Sequence, residues 1–150
     1  MNGAPANYEI STDRNRLDVG LIHGFLRETD WARDIPREVV ERSIENSLCF
    51  GAFQGDAQVG FARVVTDFVC LAYVADVFVL PQHRGRGVAR RLMQAVVDHP
   101  ALQLVRRLLL ATQDAHGLYT KFGFQPLAHP DHYLTLHRPG IYQELKPAGD

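Results

Sequence analysis

The sequence predicts one α+β domain in which helices pack against a mixed, largely antiparallel β-sheet. The order of the predicted elements, β-αα-βββ-α-β-α-ββ, does not alternate as a fully parallel sheet requires. One strand–helix–strand unit, over residues 71–80, 88–98 and 107–111, predicts a single right-handed parallel crossover in that sheet. A chain of 150 residues accommodates one core and is too short for two, so residues 1–150 are predicted to form a single domain.

The first half of the chain predicts a strand, two helices and a β-hairpin. Residues 8–10 form a short strand candidate, and helical apolar spacing begins after Asp18. A second helix begins at Pro36, since proline is favoured in the first helical turn. Residues 47–66 follow as a hairpin that turns at Gly55-Asp56.

The second half predicts the parallel unit and a short terminal region. Residues 71–80 are rich in Val and Phe, which is typical of a central strand. Residues 88–98 carry apolar side chains at helical spacing, and 107–111 read as a buried strand. A short helix over 115–122 comes next, and residues 124–144 predict short strands and turns.

Composition excludes several classes of partner. The 16 basic and 17 acidic residues give a formal net charge of −1, so the chain has no long-range attraction to nucleic acid or anionic membrane. No apolar run approaches the roughly 20 residues that span a bilayer.

Cys49 and Cys70 lie in apolar runs without Cys-x-x-Cys spacing, which predicts buried thiols in a cytoplasmic protein. The histidines show no paired ligand spacing, so no metal site is predicted.

A glycine-rich turn, Gln-His-Arg-Gly-Arg-Gly over 82–87, joins a predicted strand to a predicted helix. Backbone N–H groups at a helix start attract an anion, and glycines at 85 and 87 allow close approach of a diphosphate. Three interpretations are open: an ordinary helix-starting turn, a dinucleotide site and a coenzyme A site. A dinucleotide fingerprint needs a third glycine where Arg90 stands, and a P-loop needs Gly-Lys-Ser/Thr, which is absent.

The turn resembles the Q/R-x-x-G-x-G/A signature of the GCN5-related N-acetyltransferase (GNAT) superfamily. Residues 118–124, Leu-Tyr-Thr-Lys-Phe-Gly-Phe, look like the Y-x-x-x-G-F motif of the same family. Either motif alone is weak, but the two in this order with a strand between them are quite specific. The resemblance extends over roughly residues 7–145. It implies a three-layer sandwich whose mostly antiparallel sheet contains a splayed parallel pair of strands.

The resemblance implies acetyl-CoA as co-substrate, held by the strand before the turn and by the turn itself. The implied cofactor-binding residues are Val77, Phe78, Val79, Arg84, Gly85, Arg86, Gly87, Val88 and Ala89. Thr112 stands where family members often carry Asn, so a hydroxyl would replace an amide in contact with the pantetheine. Tyr119 matches the usual general acid, which protonates the departing thiolate; the alternative is a tyrosine that only packs on a helix face.

The other catalytic and acceptor residues are less closely defined by the sequence. Asp76 lies in the strand that the resemblance assigns to cofactor binding, and it is the candidate general base. The alternative interpretation is that Asp76 is a hydrogen-bonded carboxylate with a structural role only. Asp67 and His116 are further candidates for that role. Trp31, Arg63 and Asp67 are candidates for binding the acceptor, a small primary amine. Arg63 and Asp67 lie four residues apart, so an extended strand would put them on one face, and the Trp31 ring would suit an amine cation.

The family resemblance also allows a homodimer. The alternative functions are a non-catalytic domain of the same fold that binds or senses coenzyme A, and a nucleotide-binding module of another fold.

Overall fold

The computed structural model describes residues 7–145. Its strands are β1 (Tyr8–Ser11), β2 (Leu48–Gln54), β3 (Ala57–Thr66), β4 (Leu71–Val79) and β5 (Arg107–Leu109). Its helices are α1 (Val19–Leu26), α2 (Arg37–Glu45), α3 (Val88–Asp98), α4 (His116–Thr120) and α5 (Ile141–Glu144).

The five strands form one sheet in the order β1-β2-β3-β4-β5. Neighbouring strands are antiparallel except β4 and β5, which are parallel and lie at the end of the sheet. Helix α3 packs with Phe50 and Val64 in one apolar cluster, and α1 and α2 pack with Phe61 and Phe78 in a second. Because side chains alternate along a strand, these two clusters cover opposite faces of the sheet. The predicted fold class, a mixed and mostly antiparallel sheet flanked by helices, is confirmed.

The parallel pair is joined over a short length only. The paired residues are Leu71 with Arg107, Ala72 with Leu108, and Tyr73 with Leu109. Strand β4 continues to Val79 beside β3, while β5 ends at Leu109. The two strands therefore part after their first three residues, and the backbone of the second half of β4 is left open on the side of β5.

Strand β4 also contains a bulge. Its pairing with β3 shifts register between Phe61–Phe78 and Arg63–Ala75, so that β4 carries one extra residue. Asp76 lies in this stretch with φ +57, an unusual conformation for a residue other than glycine. Bulges re-aim side chains and backbone groups, and they are common beside active sites.

Two features differ from the expectation. Residues 124–140 form no strand in the described part of the chain, and a short helix, α5, follows them. Cys49 is buried as predicted, but Cys70 is exposed because it lies in the turn between β3 and β4.

Among residues 7–145, no helix has the length and apolar content needed to cross a bilayer.

Candidate active site

A cavity of about 480 Å³ lies where β4 parts from β5. The wall brings together the exposed edge of β4, the glycine-rich turn, the start of α3 and the helix α4 that carries Tyr119. It contains every predicted cofactor-binding residue except Arg86 and Thr112. Two motifs more than 30 residues apart in sequence thus face one space, as the resemblance implied.

The glycine-rich turn is shaped by its backbone. Gly85 and Gly87 have φ +77 and +79, values that side chains of L-residues rarely adopt. A Cβ added at either position would meet no protein atom within 4 Å, so the space in front of both glycines is open. Gly87 begins α3 without a side-chain cap, which leaves the first backbone N–H groups of the helix free for an anionic ligand.

Side chains from outside the motif hold the turn in place. Arg84 donates from Nε to the carbonyl oxygen of Val79 at 2.9 Å and so ties the turn to the end of β4. The hydroxyl of Tyr8, on β1, forms a 2.8 Å hydrogen bond with Nδ1 of His83, which lines the cavity. Arg86 donates to the same hydroxyl at 3.4 Å, so its side chain lies toward β1. Tyr8 belongs to no recognisable motif, so this role could not be predicted from the sequence.

Tyr119 lies on α4 with its side chain buried in the cavity wall. Its ring packs edge-on against Phe124, with 6.1 Å between the ring centroids. Burial raises the pKa of the phenol above its ordinary value, and the nearby carboxylate of Asp114 adds to this effect. The phenol is therefore protonated at neutral pH and can donate a proton to a group in the cavity.

Thr112 supports α4 and does not line this cavity. Its hydroxyl oxygen accepts a 3.1 Å hydrogen bond from the backbone N–H of Ala115, and its carbonyl oxygen lies 3.1 Å from Nε2 of His116. Thr112 therefore fixes the start of the helix that positions Tyr119. His116 does not line the cavity and instead lines a groove along β5, whose wall Tyr119 shares.

Three residues that the sequence assigned to catalysis or acceptor binding form one network. Asp76 accepts from Nε of Arg63 at 2.8 Å and from the indole Nε1 of Trp31 at 2.9 Å, one bond to each carboxylate oxygen. Arg63 also donates from Nη1 to Oγ of Ser47 at 3.1 Å. Trp31 lines the cavity with 58% of its surface exposed, while Asp76 and Arg63 do not line it and have mostly buried side chains.

Asp67 does not join this network. Its Oδ1 accepts from the backbone N–H groups of Val69, Cys70 and Leu71 at 2.9, 2.8 and 3.3 Å, and these bonds lower the pKa of its carboxyl to about 2. The expectation that it shares a strand face with Arg63 was wrong, because β3 ends at Thr66 and the chain turns there. Asp67 is a turn-forming residue away from the cavity.

The structure adds one aromatic residue that the sequence did not single out. Phe25, on α1, lines the cavity and stacks on Phe78 with ring centroids 4.0 Å apart and planes 10° from parallel. With Trp31 it forms an aromatic wall beside the exposed part of β4. Phe25 was indistinguishable in sequence from the other apolar residues of α1.

Neither cysteine lines the cavity, and neither do His129 and His132. Burial raises the pKa of Cys49 to about 11, so its thiol stays protonated. Within residues 7–145, His129, Asp131 and His132 bring their potential ligand atoms within 4.8 Å of one another, a convergence that the sequence spacing did not suggest. All three side chains are exposed on one short turn outside the cavity, and exposed convergence alone does not define a metal site.

Comparison with known proteins agrees with this geometry. Residues 45–126 match the family model described as an acetyltransferase (GNAT) domain. A protein of Gibberella zeae assigned as an acetyltransferase is 31% identical over 144 residues, which are 81% of this chain and 80% of that protein. The streptothricin acetyltransferase of Escherichia coli is 31% identical over 106 residues, which are 68% of this chain and 60% of that enzyme.

Among solved structures, a protein of Xanthomonas campestris pv. campestris assigned to the GNAT family is 51% identical to this chain. The two superpose with a TM-score of 0.89, over 93% of this chain and 99% of that one. The family model covers more than half of the sequence, and the fold and both motifs agree with it. The chain therefore belongs to the GNAT family of N-acetyltransferases.

Proposed function

We propose that this protein transfers the acetyl group of acetyl-CoA directly to the primary amine of a small molecule. One observation carries the proposal: an anion-binding turn and a buried, protonated phenol line the same cavity at a gap between parallel strands. The turn suits the diphosphate of coenzyme A, and the phenol suits a leaving group that needs a proton. The streptothricin acetyltransferase, whose name gives a small-molecule substrate, supports an acceptor of that kind.

The described residues fit coenzyme A in two places. The open space at Gly85 and Gly87 and the uncapped start of α3 would receive the diphosphate. Residues 77–79 would receive the pantetheine arm, because they line the cavity where β5 no longer pairs with β4. An extended ligand can there bond to backbone groups as an added strand would.

Acetyl-CoA supplies an activated acyl group, whose thioester carbon is attacked by the amine. A C–N bond forms, the C–S bond breaks, the amine nitrogen gives up a proton and the thiolate takes one. Tyr119 would supply the proton to the thiolate, since its raised pKa keeps the phenol protonated at neutral pH. A backbone N–H near Val77, beside the bulge, would stabilise negative charge on the carbonyl oxygen.

We assign Asp76 a positioning role in place of the general base expected from the sequence. Both of its oxygens already accept hydrogen bonds, and Trp31, not Asp76, lines the cavity. Its contact holds the indole of Trp31 as part of the acceptor wall. The proton of the amine would then pass to solvent at the open mouth of the cavity.

A thiol-release assay with a panel of small amines tests the proposal. We expect release that depends on both acetyl-CoA and an amine, with an acetylated product identified by mass. Binding of acetyl-CoA without release for any amine in the panel would favour the alternative, a domain that binds or senses coenzyme A. If neither binding nor release occurs, the proposal is wrong.

A further inference from the structure

The polar side chains that line the cavity belong mostly to the part proposed to hold the diphosphate. Three of them lie in the glycine-rich turn or the first turn of α3, and they are His83, Arg84 and Arg90. The others are Tyr119, proposed to protonate the thiolate, and Trp31, whose indole nitrogen is bonded to Asp76. Among residues 7–145, no Asp, Glu, Asn, Gln, Ser or Thr lines the cavity. The acceptor therefore meets no free polar side chain beyond those already assigned.

This lining selects against acceptors that carry many polar groups. A hydroxyl or carboxylate that leaves water without gaining a hydrogen-bond partner loses free energy. Amino sugars carry several hydroxyls and amino acids carry a carboxylate, and the side chains of Phe25, Trp31 and Phe78 offer these groups no partner. An amine with an apolar body avoids this cost and gains from burial.

Trp31 presents a large aromatic surface in a fixed orientation. It is 58% exposed, and its Nε1 donates to Asp76 at 2.9 Å. Asp76 is held in turn by Arg63 at 2.8 Å, so rotation of the indole would break a bond to an ion-paired carboxylate. Phe25, stacked on Phe78, completes the aromatic wall. An exposed indole held in this way is suited to stacking against a flat ring.

The charges near Trp31 are already paired, which favours a ring over a cation as its partner. Asp76 is paired with Arg63, and Asp30 is paired with Arg33 at 3.1 Å. Neither carboxylate lines the cavity. Without a facing negative charge, burial favours the neutral form of an amine, which is the form that attacks a thioester.

We propose, on the basis of the transfer reaction proposed above, that the acceptor is a primary amine joined to an aromatic ring by a short alkyl chain. The ring stacks on Trp31 beside Phe25, and the chain brings the nitrogen to the thioester carbon. The C–N bond forms as the C–S bond breaks. The nitrogen gives its proton to solvent, and Tyr119 gives a proton to the thiolate and regains one from solvent.

The fluorescence of Trp31 tests this acceptor class without turnover, because the chain contains a single tryptophan. The protein is saturated with coenzyme A, which carries no acetyl group, and titrated with phenethylamine, cyclohexylethylamine or glucosamine. The first two share the amine and the chain, so their difference separates stacking from general apolar burial.

We expect a saturable change in indole emission, with a dissociation constant about fivefold lower for phenethylamine than for cyclohexylethylamine. Glucosamine should give no saturable change. Equal or tighter binding of the cyclohexyl compound, or saturable binding of glucosamine, overturns the proposal.

The thiol-release assay separates failure of this inference from failure of the transfer reaction. We expect kcat/KM to be about fivefold higher for phenethylamine than for cyclohexylethylamine. In Trp31→Leu this ratio should fall to about one, with KM for acetyl-CoA unchanged. Phe68→Leu is the matched control and should keep the wild-type ratio, because Phe68 is 45% exposed but does not line the cavity.

The outcomes of this assay are distinct. A preference for the aromatic amine that persists in Trp31→Leu overturns the placement of the ring on Trp31. Acetylation of glucosamine, or of both apolar amines with equal kcat/KM, overturns the acceptor class and leaves the transfer reaction standing. No release with any amine overturns both proposals.

Discussion

The indole N–H of Trp31 donates a 2.9 Å hydrogen bond to Oδ1 of Asp76, 45 residues further along the chain. The other oxygen of Asp76 is paired with Arg63 on β3. One carboxylate thus connects the segment between α1 and α2, strand β3 and the bulge in β4. This connection gives the proposed acceptor wall a fixed position relative to the strand that would hold the pantetheine.

Trp31→Phe removes the hydrogen bond to Asp76 but keeps an aromatic side chain. The aromatic ring then loses the contact that fixes its position in the cavity wall, so we expect KM for the amine to rise, with acetyl-CoA affinity unchanged. Asp76→Asn should likewise raise KM more than it lowers kcat. A fall of about 100-fold in kcat for Asp76→Asn alone would instead identify Asp76 as the general base.

Tyr119→Phe removes the proposed proton donor and keeps the ring that packs against Phe124. We expect kcat to fall about 100-fold with acetyl-CoA affinity unchanged. Because burial raises the pKa of the phenol above its ordinary value, loss of rate from Tyr119 ionisation should begin at a higher pH than a free tyrosine would give. Tyr73→Phe is the control, since Tyr73 lies on β4 outside the cavity wall. An unchanged kcat in Tyr119→Phe would remove Tyr119 from the mechanism.

Gly87→Ala tests the turn against a matched glycine. Gly55 and Gly87 both have positive φ, +61 and +79, and open space at the position of a Cβ. Alanine should therefore destabilise the protein by about 1–2 kcal/mol at either position. Only Gly87→Ala places a methyl group where the diphosphate would bind, so only that variant should lose acetyl-CoA affinity, measured by calorimetry. Equal affinities in the two variants would contradict the placement of the diphosphate.

Asp67→Asn tests the structural role of that carboxylate. Its pKa of about 2 lies below the ordinary value of about 3.9, so the ionised form stabilises the fold above pH 4 and this stabilisation is lost as pH falls toward 2. We expect Asp67→Asn to lower the melting temperature at pH 7, and the difference from wild type to shrink in acid. Asp56→Asn, in the turn between β2 and β3, is the control and should melt as wild type does. A large loss of kcat/KM in Asp67→Asn would show that Asp67 takes part in catalysis or acceptor binding.

Local backbone requirements explain why the position of the glycine-rich turn, between a strand and a helix, was predictable from sequence. Positive φ at two glycines and an uncapped helix start leave a clear pattern in neighbouring residues. Contacts between residues that are distant in sequence leave no such pattern. Tyr8 is bonded to His83 across 75 positions, and Phe25 stacks on Phe78 from another layer.

The errors arose where a strand ended or lacked a partner. The same-face argument for Arg63 and Asp67 assumed that β3 continued beyond Thr66. The pattern over residues 124–144 predicted short strands, but residues 124–140 form no strand in the described structure. Periodicity reports which face of a strand would be apolar and does not report whether a neighbouring strand will pair with it.

Thermal stabilisation by acetyl-CoA tests the central claim most directly, because it requires no knowledge of the acceptor. A ligand at 100 times its dissociation constant adds about 2.7 kcal/mol to the free energy of unfolding. We predict a rise in melting temperature with acetyl-CoA and with coenzyme A, none with NAD or ATP at the same concentration, and a smaller rise in Gly87→Ala than in Gly55→Ala. No rise with either form of coenzyme A would contradict the assignment of the cavity.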